Sequence, residues 1–182
     1  MRWSQLFDDL EAQWDAETRR DLDYEVADRT RRERASVGLY ERLAASSGKT
    51  VLVRVTSGRA VGGVIADVGR GWMLLRSDRR PVLVPLAAVA AVSGLSERAT
   101  GSPVGKRFSL GYALRGLSRD RAVVAVEDVT GATTSGTIDA VGADCFDLSE
   151  HAPDEPRRPE NVTGRRVVPF SAVVSVSAGA RT

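Results

Sequence analysis

Six arginines, Arg54, Arg59, Arg70, Arg76, Arg79 and Arg80, fall close together in this 182-residue chain, and Trp72 lies among them. They occupy turns and the polar positions of alternating segments. A guanidinium fork matches a phosphate, and an indole ring offers a face for a base to stack on, so these residue types point to single-stranded nucleic acid, most simply RNA. Charge is segregated in the same sense. Residues 49–106 carry nine basic side chains against three acidic ones, whereas residues 1–28 carry three arginines against nine acids. A local excess of cations attracts phosphate by releasing counterions, but it reads no base sequence. Arginine supplies 24 of the 26 basic residues. A GC-rich genome alone produces such a bias, so the argument rests on where the arginines stand.

The other reactive residue types form no catalytic constellation. Gly48-Lys49-Thr50 has the ending of a phosphate-binding loop, but Leu43 stands where that motif opens with glycine, and a helical pattern precedes it in place of a strand. The tripeptide reads as a turn into the first strand. Cys145 lies in an alternating segment and reads as a small buried hydrophobe; His151, in a polar stretch with Glu150, Asp154 and Glu155, reads as a solvated loop histidine. One cysteine excludes an internal disulfide, and one histidine leaves too few soft ligands for a structural zinc. The expectation is a protein that is not an enzyme, with no catalytic residues, no metal and no cofactor.

The elements that position these residues change character along the chain. Trp3, Phe7, Leu10 and Trp14 recur at helical spacing opposite Asp8, Asp9, Glu11 and Asp15. Residues 1–36 are therefore read as an amphipathic helix whose stripe packs on the rest of the chain, on a second copy, or on a partner protein. Its acidic face argues against a membrane surface. The longest apolar run, Pro81 to Val92, contains two prolines and is well short of the ~20 residues that span a bilayer. The acidic start lacks the apolar core of a signal peptide, and the expected location is the cytoplasm.

From residue 50 the pattern alternates. Val51, Val53 and Val55 share a face, and short β-rich segments follow at Val61–Val68, Trp72–Arg76, Val82–Pro85 and Val89–Val92, bounded by Gly, Ser or Pro. The pattern then repeats. Residues 51–75 align with 124–148, placing Gly58 on Gly131, Gly63 on Gly136 and Ile65 on Ile138; VPLAAVAAV (84–92) aligns with VPFSAVVSV (168–176) after a polar insertion over 150–165. Leu39, Tyr40 and Leu43 predict a short helix before the first copy, and Leu110, Leu114 and Leu117 one before the second. Gly63 and Gly136 fall mid-strand, where glycine marks a bend or a close backbone approach.

The stretch SGRAVGGVIADVGRGWMLL, with Gly58, Val61, Gly63, Ile65, Val68, Met73 and Leu75, resembles the first motif of the Sm-like proteins, the family that includes Hfq. The second copy matches at Gly131, Gly136, Ile138, Val141 and Leu148. The layout is similar to that of tandem Sm-like proteins of high-GC bacteria. The resemblance implies a mainly β chain with an N-terminal α-helix and two tandem, small, SH3-like five-stranded barrels over 37–96 and 107–179, joined by a linker over 97–106. It also implies association through barrel edges, here Val89–Val92 and Val173–Val176, either between chains as a homo-oligomer or, in a tandem chain, with one edge satisfied internally, so that monomer, dimer and ring all stay open. The family's RNA-reading Asp and Asn would stand at Gly69 and Met73, or at Gly142 and Phe146, and its Arg-Gly or Lys-His pair near Val84-Pro85 and Val168-Pro169. Those polar groups are absent. The sequence thus leads to a nucleic-acid module working through Arg54, Arg59, Arg70, Trp72, Arg76, Arg79 and Arg80, with a protein scaffold as the alternative.

Overall fold

The structure, a computed structural model, describes residues 35, 37–77, 80–96 and 108–178. The Trp3, Phe7, Leu10 and Trp14 stripe, Arg79 and the linker over 97–106 lie outside the described residues.

A short helix, α1 (Leu39–Ala45), precedes five strands: β1 (Thr50–Val55), β2 (Ala60–Gly69), β3 (Trp72–Arg76), β4 (Pro81–Pro85) and β5 (Val89–Ser93). A second helix, α2 (Leu110–Arg119), precedes five more: β6 (Val123–Asp128), β7 (Thr133–Val141), β8 (Cys145–Glu150), β9 (Gly164–Pro169) and β10 (Val173–Ala178). Valine alternation makes β1 amphipathic, with Val51, Val53 and Val55 buried and Leu52 and Arg54 exposed. Ser109 caps α2 by accepting from the Tyr112 amide. The helix ends where the amides of Arg121 and Ala122 bond back to the carbonyls of Ser118 and Leu117, which sets Arg121 in the left-handed region at φ 50°.

The two copies repeat down to single strand pairs. Arg54 faces Ala91 across β1 and β5 as Glu127 faces Ser175 across β6 and β10. Leu74 faces Leu83 as Asp147 faces Val167. A bulge between Ile65 and Asp67 recurs between Ile138 and Ala140. Gly58 and Gly131 both turn at positive φ, a conformation that costs glycine nothing. A Cβ on Gly63 would stand 2.8 Å from the Arg76 carbonyl oxygen, and one on Gly136 2.1 Å from that of Ser149. Both glycines therefore serve close backbone approach.

The expectation of two closed five-stranded barrels needs correction. The ten antiparallel strands form one open sheet in the order β5-β1-β2-β3-β4-β10-β6-β7-β8-β9, with no ladder from β4 to β5 or from β9 to β10. A strand has only two edges. The outer edge of β4 pairs with β10, Leu83 opposite Val176 and Val82 opposite Ser177, so it is not free to close the first copy on itself. The two cores interlock across this seam: Val174 of β10 belongs to the core under α1, and Trp72 and Leu83 belong to the core under α2. Among the described residues, no helix is long and apolar enough to cross a membrane.

Candidate nucleic-acid interface

The fold separates Arg54, Arg59, Arg70, Trp72, Arg76 and Arg80. Arg54, Arg70, Arg76 and Arg80 are exposed. Trp72, read as a stacking ring, is buried, and its indole Nε1 donates to the Phe108 carbonyl at 2.9 Å, so no base can reach its face. The reason is the second copy: Phe108 precedes the Ser109 cap of α2, and its carbonyl also accepts from the Arg70 amide at 2.9 Å, tying the β2–β3 turn to the segment that leads into that helix. Arg59 is committed elsewhere. Its Nε donates to Glu127 Oε2 at 2.9 Å, and its Nη2 bonds both Glu127 and Ser175. Arg59 and Arg80 line one open cavity of about 490 Å³ beside the seam, with Ser77 and Ser177.

Glu127 is the centre of that seam. It is 5% exposed and accepts from Ser57 at 2.6 Å, from Arg59, and from Ser175 at 2.9 Å. Burial pushes its carboxyl up, but the hydrogen bonds from Arg59, Ser57 and Ser175 and the Arg59 charge together outweigh burial and hold it below the usual carboxylate range.

The outer face of α2 carries a feature that the helix reading from Leu110, Leu114 and Leu117 passes over. Tyr112, Arg115 and Arg119 are exposed on one side of α2, and Phe108, just before the Ser109 cap, is exposed beside them, while Leu114 is buried and Leu110, Ala113 and Leu117 pack on the core. The rings of Phe108 and Tyr112 stack with centroids 4.2 Å apart and planes 11° from parallel. Two exposed rings and two guanidinium groups thus form one stripe with no carboxylate in it. The leucine spacing of α2 sets its core side, and the recurrence of Tyr112, Arg115 and Arg119 away from those leucines is the signal that could have found the stripe.

The two single reactive residues fall as follows. His151 is buried at 3%, which corrects the reading of a solvated loop histidine. Its Nδ1 lies 2.8 Å from the Ala152 carbonyl, which only accepts, so Nδ1 carries a proton; its Nε2 lies 2.8 Å from the Thr137 hydroxyl. Burial pushes the Cys145 thiol up, and Asp144 and Asp147 add to the shift, which disfavours the thiolate that a nucleophile needs. Among the described residues, no three His, Cys, Asp or Glu side chains gather as a metal site. No protein-family model, curated protein or solved structure matches the chain.

Proposed function

We propose that this chain is a non-enzymatic, Sm-like binding module for single-stranded nucleic acid, RNA being the simplest case, and that the stripe Phe108, Tyr112, Arg115 and Arg119 is its contact surface. The carrying observation is the exposed Phe108–Tyr112 stack continued by two arginines. Stacked rings extend to a base at a gain of about 1–3 kcal/mol, and guanidinium groups hold the flanking phosphates. Arg70 adjoins the stripe through its backbone bond to Phe108, which links it to the basic first copy. Trp72 has no part in contacting the ligand. Fluorescence anisotropy with a mixed RNA pool, from about 50 to 300 mM salt, tests this reading. Tyr112→Ala with Arg115→Ala should weaken binding roughly 10-fold or more and flatten the salt dependence. Absence of wild-type binding at the lowest salt sinks the proposal.

A protein scaffold is the second reading, favoured by one observation. Val167, on β9, whose outer edge has no partner strand among the described residues, is 63% exposed, although its counterpart Leu83, on β4 beside β10, is 5% exposed. A strand from another protein would cover it. Recovery of the same partner by wild type and by Val167→Lys sinks this reading.

A further inference from the structure

The repeat carries an internal control on which strand edges can meet. Among the described residues, β5 and β9 are the two edges of the sheet without a partner, and they are the counterparts of β10 and β4, which pair with each other. A second copy could therefore add β9 to β5 in the geometry of the β4–β10 seam. Such a head-to-tail contact would propagate into a ring or a filament.

The residues at the equivalent positions do not support that contact. In the existing seam the buried carboxylate of Glu127 receives Ser57 and Arg59 from the opposing turn and Ser175 from its own sheet. The same registers put Arg54 in the place of Glu127 and Ala91 in the place of Ser175. On the opposing side, Thr130 stands for Ser57, Ala132 for Arg59, Arg166 for Val82 and Val167 for Leu83. Arg54 would then leave water facing Ala132, with no carboxylate at the position that Arg59 holds in the existing seam. Asp128, the acid of that turn, already accepts from the Thr130 amide at 2.8 Å and from its hydroxyl. Glu150 is bonded by Arg166. The new seam would gather two arginines where the existing one pairs an arginine with a glutamate.

We propose that Arg54 is a specificity-determining residue that bars a second copy of this chain from the β5 edge, so that the tandem sheet ends after ten strands. A single inverted charge at a repeated position lets the two copies join once within the chain and stops growth between chains. This inference is independent of the nucleic-acid reading.

The test rebuilds the clamp in the full-length chain. Light scattering over a roughly hundredfold range of concentration should give a wild-type mass that Val167→Lys does not change. The variant Arg54→Glu with Ala91→Ser and Ala132→Arg should gain mass about twofold or more with concentration, and adding Val167→Lys to it should restore the wild-type mass. All four positions are exposed or half-buried in the free chain, and circular dichroism checks that each variant is folded. A wild-type mass that falls with Val167→Lys overturns the proposal, as does a folded clamp variant whose mass stays at the wild-type value.

Discussion

Arg59 and Glu127 are 68 residues apart in sequence and join side chains across the seam between two copies of one fold. The carboxylate is buried and the guanidinium is half exposed. Removing the acid leaves a cation that can turn to water, whereas removing the cation leaves a buried acid short of donors. Glu127→Ala should cost about 2–4 kcal/mol in urea unfolding, and Arg59→Ala should cost at least as much. A coupling energy near zero in the double-mutant cycle would remove the pair from the account of the seam.

The same cluster sets a pH dependence. The Glu127 carboxyl in the folded chain lies below its unfolded value, so its contribution is present above the usual carboxylate range and is lost as pH falls through the folded value. The urea midpoint should drop between about pH 6 and pH 3, and by less in Glu127→Gln. Asp128 and Asp139 are held low as well, Asp139 by Arg157 and Ser149 against its burial and Asp128 chiefly by Thr130. The variant should therefore keep part of the slope.

Leu83 and Val167 hold equivalent positions, but only Leu83 has a strand paired on the outer edge of its own and is buried in a core. Leu83→Lys should cost about 3 kcal/mol or more, because it buries a cation in the second core, while Val167→Lys should stay within about 0.5 kcal/mol. Equal costs measured by chemical unfolding would contradict the open sheet.

Arg121 occupies the left-handed position that ends α2 and offers an exposed contact to Asp139 at 3.3 Å. That contact is worth little in water, and the backbone conformation costs a residue with a Cβ about 1 kcal/mol. Arg121→Gly should raise stability by about that amount, read as a higher melting temperature.

Alanine at Gly136 should cost about 3 kcal/mol and alanine at Gly63 about 1–2 kcal/mol, since the Ser149 carbonyl approaches more closely than that of Arg76. The order of the two melting temperatures checks the geometry.

Much of this architecture is local and was legible. Alternation in Val51, Val53 and Val55, the leucine spacing of α2 and the mid-strand glycines each depend on neighbours a few residues away, and the repeat set both copies in one register. Two features of the candidate site were not local. Trp72 carries the same residue type whether it stacks on a ligand or fills a core, and the Phe108 carbonyl decides between them. Arg59 and Arg54 are alike in sequence, yet Glu127 bonds the first, and among the described residues no side chain bonds the second. The strand segments and the doubling of the fold could be read along the chain, because alternation, turn chemistry and mid-strand glycines act on neighbours in sequence. That β4 pairs with β10, and that Arg59 is bound while Arg54 stays exposed, depended on long-range contacts, because a strand edge can be used once and its partner lies far away in sequence.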